Sequence, residues 1–249
     1  DKAQLLQVIE QHLTPRTRVC SFMHVDTITG LQMPLADIAA LTRPRDILLV
    51  CDAAQTPGML DVNVQDLGVD ALASSSHKWL LAPKGTGILY VRKQVQDRIH
   101  PLSTMYGYNA YSASGGTRNV AGILGHGAAL DFHNAIGKPR IEARCRQLSR
   151  RVREHLRQIP RLTLLTPDQQ ELSSGIVSFS VDGMKNSDIH KKLWDEHGIA
   201  AKVAQGTYAF TEVQSQLGEN YNVLRFSTHI YNDESQVDRL AEALQGILA

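Results

Sequence analysis

A chain of 249 residues that is 43% hydrophobic and 20% charged can build one large domain or two small ones, and it is too apolar for global disorder. Its 26 Lys and Arg against 25 acidic residues leave a net charge of +1, which excludes an electrostatic footprint for nucleic acid and a polybasic membrane patch. Three widely spaced cysteines, Cys20, Cys51 and Cys145, exclude a disulfide framework and a zinc motif, and no apolar run reaches the ~18–20 residues of a membrane helix.

The chain opens in a helical pattern, Lys2 to His12, without an initiator Met, so preceding sequence is an open possibility. No signal peptide is visible and the cysteines suit a reducing compartment, so a cytoplasmic location is expected. "RVCSFM" (18–23) predicts a strand, with a turn at Thr29–Gly30 and a short helix over Pro34 to Leu41 opened by its proline. "ILLVC" (47–51) is a near-continuous apolar run ending at Asp52, as expected for a central parallel strand buried on both faces. Asp70 to Ser74 and Gly87 to Val91 predict two more strands. This alternation argues for an α/β sheet.

Beyond Gly116 the pattern changes. Two consecutive helices are predicted over 119–134 and 139–158, and the Arg-rich face of the second, mixed with Glu142 and Glu154, reads as solvated. Strands are then predicted at 176–181, 199–203 and 223–227, with helices over about 187–196 and from Asp233 onward. The expected organisation is a sheet domain to residue 135, a connecting helix over 136–160, and a small α+β subdomain over 161–249.

Two polar strand ends carry the chemistry. Asp52 closes one strand and Gln55 follows before the Pro57–Gly58 turn; "SSSHK" (74–78) closes the other, and ligands of open α/β sheets sit beyond such ends. Taken singly, Asp52 reads as a loop cap and Lys78 as a surface lysine. Together they can form one pocket, in which a lysine of lowered pKa becomes a nucleophilic amine able to form a Schiff base. Gly85–Thr86–Gly87 lacks the third glycine of a dinucleotide fingerprint and is no P-loop. His126 and His133 lack ligand spacing and read as structural, and no metal site is expected.

The D-x-x-Q element at 52–55, the S-x-H-K element 23 residues on, the P-x-G-x-G turn at 83–87, "GGTRN" (115–119) and "LRFSTHIYND" (224–233) stand in one order over nearly the whole chain. In that order they resemble the class-V aminotransferase-like enzymes, fold-type-I proteins that use pyridoxal 5'-phosphate (PLP). "TPGML", "HKWLLAPKG" and "GTRN" are closer to the isopenicillin-N epimerase and C–S lyase branch than to the cysteine desulfurases. The resemblance implies an α/β fold with a mainly parallel sheet and a C-terminal α+β subdomain. It implies that Lys78 forms the Schiff base with PLP, Asp52 sits on the pyridine nitrogen, and Gln55 bonds the ring oxygen. Ser75 and His77 would hold the phosphate, His77 would also tune Lys78 as a catalytic residue, and Thr27 matches a further position beside the ring. Thr117 would reach the phosphate of a neighbouring subunit, so the active form would be a homodimer with shared sites. Arg225 would clamp the α-carboxylate of an amino-acid substrate, the geometry that guanidinium suits.

The implied reaction is Cα deprotonation by Lys78, leading to β-elimination of the C–S lyase type, with epimerisation or transamination as alternatives. Desulfuration through a persulfide is disfavoured, because residues 200–224 contain no cysteine. A reading of another class is a non-catalytic dimeric relic or binding protein. The family's ring-stacking aromatic and first phosphate cradle have no counterpart here, so the chain is expected to be roughly the C-terminal three-fifths of such an enzyme.

Overall fold

The computed structural model describes residues 1–99, 118–205 and 222–248. The chain divides into two units: Asp1–Val25 with Met33–Pro139, and Asp26–Gln32 with Arg140–Ala249.

In the first unit, α1 (Lys2–His12) starts where the Asp1 carboxylate accepts the Gln4 N–H at 2.8 Å. Strands β1 (Val19–Met23), β2 (Leu48–Asp52) and β3 (Ala71–Ser75) run parallel, and β4 (Gly87–Val91) joins β3 antiparallel. The sheet order is β1-β2-β3-β4, with α2 (Leu35–Thr42) and the single turn α3 (Val64–Leu67) in the crossovers. Parallel pairing puts the carboxyl ends of three strands on one edge, with Met23, Asp52 and Ala73 in register. At the opposite end Asp70, buried, accepts the Leu49 N–H at 2.8 Å and the Arg92 Nε–H at 2.8 Å. That carboxylate ties β2, β3 and the end of β4 together.

One face of this sheet is covered. Cys20, Leu49, Cys51 and Leu72 pack with Leu35, Ile38 and Ala39 of α2, and Leu6 and Ile9 of α1 lie against them. The other face carries Val19, Met23 and Leu89 at 52%, 45% and 66% exposure. The apolar run of β2 therefore meets a helix layer on one side only within the described residues. The unit ends in α4 (Val120–Ile136), opened by Asn119, whose Oδ1 accepts the Gly122 N–H at 2.9 Å.

The second unit contains α5 (Lys138–Leu156) from Arg140 onward, β5 (Leu162–Leu164), β6 (Ile176–Val181), α6 (Asn186–His197), β7 (Lys202–Gln205), β8 (Asn222–Ser227) and α7 (Glu234–Leu248). Its antiparallel sheet has the order β5-β6-β8-β7. Leu148, Val152 and Leu156 recur along α5 at helical spacing and join Phe179, Leu224 and Phe226 of the sheet with Ile189, Leu193, Val237, Leu240 and Leu244 of the other helices. Phe179 and Phe226 stack with ring centroids 5.9 Å apart. The long helix thus shares this core.

Part of the Arg-rich face of α5 departs from the solvated face that its sequence predicts. Arg144 forks onto Glu234 and Arg151 onto Asp238, both of α7, and Arg146 bonds Glu142, Gln32 and the carbonyls of Gln170 and Ser173. Arg153 is 4% exposed, and burial pulls its guanidinium pKa below the ordinary value. Helix periodicity counts charge as outward; here neighbouring elements supply carboxylates and carbonyls that draw it in. Among the described residues, no helix is long and apolar enough to cross a membrane.

Candidate active site

The strand ends of the first unit bring together the residues singled out from the sequence. Asp52, the last residue of β2, is exposed, and its Oδ1 accepts the Ala54 N–H at 2.8 Å. The next peptide is sewn to β3: Ala53 N–H donates to Ala73 O at 2.8 Å, and the Ser74 hydroxyl donates to Ala53 O at 3.0 Å. The turn after β3 closes on itself, with Leu81 N–H on Lys78 O at 3.1 Å and Ala82 N–H on Ser76 O at 3.0 Å. Leu81 sits at φ 60°, a left-handed conformation that a branched side chain adopts at a cost of order 1 kcal/mol. Lys78 and His77 are exposed on this turn. The lysine therefore stands just past the strand, at its open end, with its ammonium accessible instead of enclosed.

Below them the polar groups are buried. Among the described residues, the hydroxyls of Thr56, Ser75 and Ser76 have no hydrogen-bond partner although each oxygen is out of contact with solvent. Buried hydroxyls normally find a partner, and several orphans at two adjacent strand ends make a site suited to an oxygen-rich ligand. Asp52, Ser75, Thr86 and Gly87 line an open hollow of about 630 Å³ on the same sheet. Gly87 is required by its approach to β3: a Cβ there would lie 2.8 Å from Ser74 O.

Gln55 is 9% exposed, and its Oε1 accepts the indole N–H of Trp79 at 2.9 Å. The Pro57–Gly58 turn passes so close to the Trp79–Leu80 peptide that a Cβ on Gly58, at φ 89°, would stand 2.3 Å from Trp79 O. His133 of α4 places Nε2 3.2 Å from that carbonyl and Nδ1 2.8 Å from Ala129 O. Sequence reasoning named Gln55 and Lys78 but passed over Trp79. The available signal was an indole, able only to donate, directly after the lysine.

Two other predicted residues lie in the second unit. Arg225 of β8, flanked by Ser178 of β6 and Lys202 of β7, donates from Nη1 to Thr27 O at 2.7 Å and to Thr27 Oγ1 at 3.0 Å. Thr27 belongs to this unit because the loop Asp26–Gln32 is fastened to its sheet. The hydroxyls of Ser178, Ser174 and Thr166 donate to Ile28 O, Gly30 O and Thr29 O, and a Cβ on Gly30 would meet Ile176 O at 2.4 Å. Thr27, expected beside the ring, is thus held against the carboxylate-binding candidate. Thr117 lies outside the described residues.

The three cysteines are unpaired and buried. Burial, and for Cys51 the adjacent Asp52 charge, push the thiols of Cys51 and Cys145 up to about 12, and burial also raises Cys20.

Comparison with known proteins gives this geometry its context. The family model described as aminotransferase class-V matches residues 1–240. Isopenicillin N epimerase of Streptomyces clavuligerus is 32% identical over 99% of this chain and 64% of its own length. The apo structure of a cysteine desulfurase from Thermococcus onnurineus NA1 superposes with a TM-score of 0.84 at 27% identity, over 98% of this chain and 62% of that one. A mutant of C-DES with glycine covalently linked to its PLP cofactor matches with a TM-score of 0.79 at 26% identity, over 96% of this chain and 63% of that one. The chain therefore spans a little under two thirds of the length of these relatives.

Proposed function

The chain belongs to the class-V aminotransferase family of PLP-dependent enzymes, and from that premise we propose that it carries the catalytic lysine and the substrate clamp of an enzyme acting on an amino acid. The observation that carries the proposal is the meeting of Asp52, Gln55, Ser75, His77 and Lys78 at two adjacent strand ends, above buried hydroxyls that lack partners among the described residues. Those residues fit PLP, whose pyridine ring, when bound, withdraws electrons from the substrate Cα. Asp52 would hold a proton on the ring nitrogen through its charge. Ser75 and His77 would bind the phosphate, which also suits the orphaned hydroxyls. Gln55 would bond the ring oxygen. Lys78 would hold the cofactor and, once the substrate amine replaces it, move the Cα proton.

In the second unit Arg225 would bind the α-carboxylate, with Thr27 fixing one edge of its guanidinium. Thr117 would contact the phosphate of a partner subunit. A homodimer is further supported by α4, whose Val120, Ile123, Leu124 and Phe132 are exposed. Three unpaired cysteines suit the cytoplasm.

For the fate of the Cα carbanion we favour β-elimination from a cysteine-derived substrate. A persulfide route needs an accessible thiolate, whereas the three thiols here are buried with raised pKa, and no cysteine occurs in 200–224. Epimerisation is the second reading, favoured by the likeness to isopenicillin N epimerase. Incubation with amino acids in heavy water separates them: deuterium at Cα of both enantiomers means epimerisation, and a released keto acid with a sulfur leaving group means elimination. The parent reading is tested by borohydride reduction of the PLP-loaded intact protein and peptide mapping. A pyridoxyl label on Lys78 is expected; a label on another lysine, or none, ends the proposal.

A further inference from the structure

We propose that Trp79 is a positioning residue, whose indole N–H sets which end of the Gln55 amide is presented to the cofactor; this rests on the PLP reading above. An amide carries an acceptor at one end and two donors at the other, nearly equal in shape. The indole removes the ambiguity, since it donates and cannot accept. Its N–H at 2.9 Å takes the carbonyl end of Gln55, and the NH2 end is turned away from Trp79.

Trp79 is buried and its backbone is held from two sides. The Trp79 side chain is 5% exposed, its carbonyl lies 3.2 Å from His133 Nε2, and the Gly58 backbone packs where no side chain fits. The loop after β2 and the turn after β3 are therefore locked to each other and to α4 through one residue. Gln55 is 9% exposed, so an amide flip would put an NH2 against the indole N–H with little solvent to absorb the mismatch.

The chemical consequence lies at the ring oxygen that Gln55 is proposed to bond. A donor there stabilises negative charge on that oxygen, and the charge is greatest in the deprotonated form of the bound cofactor. With the NH2 end presented, bound PLP would titrate at lower pH than in a variant whose indole no longer fixes that end of the amide. Trp79 acts on the cofactor only through Gln55, so the two substitutions are not additive.

The test uses the intact protein. Trp79→Phe keeps the bulk of an aromatic ring and removes the N–H. In the PLP-loaded protein, a pH titration of visible absorbance is expected to shift upward by about one unit, the size of a lost hydrogen bond to a charged group. Gln55→Ala should shift it in the same direction, and Trp79→Phe in that background should add nothing. Turnover should fall more than KM rises. In the ligand-free protein, Gln55→Ala should displace the indole ¹⁵N–H resonance that disappears in Trp79→Phe and should speed its hydrogen exchange. PLP on Lys78 with an unmoved titration in Trp79→Phe, or additive shifts, would overturn the role of Trp79 and leave the parent reading standing. Absence of PLP from Lys78 would sink the parent reading; the indole resonance then decides this one, and an unmoved resonance overturns it.

Discussion

Arg225 shows how a single side chain divides its donors. One nitrogen, Nη1, is committed to Thr27 through both its carbonyl and its hydroxyl, which fixes the plane of the guanidinium that is proposed to bind a carboxylate. Lysine has one nitrogen and no plane, so Arg225→Lys cannot hold Thr27 and a carboxylate in the same geometry. A lost charged hydrogen bond corresponds to about 2 kcal/mol, and kcat/KM is expected to fall about 30-fold while PLP binding and its spectrum stay unchanged. Steady-state kinetics on the intact protein decide the point; an unchanged kcat/KM places substrate recognition elsewhere. The pairing with Thr27 was not legible in the sequence. The two residues lie 198 positions apart, and local spacing carries no information about which sheet a loop is fastened to.

At the scale of elements, α5 and α7 are joined by charge across their exposed edge. The Arg144 fork holds the Glu234 carboxyl down at about 2, and Arg151 with His155 holds Asp238 below the usual carboxylate range. Both carboxylates have a folded pKa below the unfolded one. Their contribution to stability is therefore present above the ordinary Glu value of about 4.5 and is lost as pH falls towards about 2. The urea midpoint of the protein should decline across that window, and Arg144→Gln should flatten the decline and lower the neutral-pH midpoint by a matching, modest amount, since the pair is half-exposed. Parallel pH profiles for parent and variant would show that the pair does not couple to unfolding. The elements themselves were largely legible, because long apolar periodicities depend on the residues in them. The misses were short or edge elements. β5 spans only Leu162–Leu164, too few residues for a pattern. The strand expected at 199–203 lies at Lys202–Gln205, because Gly198 turns left-handed at φ 62° and the Ile199 N–H still bonds Leu193 O, spending those residues on the helix end.

For the whole molecule, the open sheet face sets the expectation. Val19, Met23 and Leu89 are exposed on one face, and β1 and β4 each pair on one side only among the described residues. Apolar faces and free strand edges of this kind are covered or paired in stable proteins. We propose that the working protein supplies further sheet and helix here, and that it assembles as a dimer of the complete unit. Residues 1–249 expressed alone should then bind an apolar dye, hold PLP weakly and turn over little, whereas the intact protein should bind no dye, hold PLP firmly and turn over substrate. Calorimetry, dye binding and turnover measured side by side test this; a PLP-saturated, active and monodisperse fragment would refute it.

What the sequence by itself determined is the set of local commitments: the apolar run that becomes β2, the periodic helices, and the polar residues at 52–55 and 75–78 that end two strands. These follow from spacing, since side-chain alternation and helical repeat are properties of contiguous residues. Only the tertiary structure decided that β4 turns antiparallel, that Asp26–Gln32 joins the second unit, that Arg153 is buried, and that Trp79 reaches Gln55 across 24 positions. Each of these depends on which partner a residue meets after the chain has closed a long loop. A hydrogen-bonding group states in sequence that it needs a partner, and the fold chooses which one.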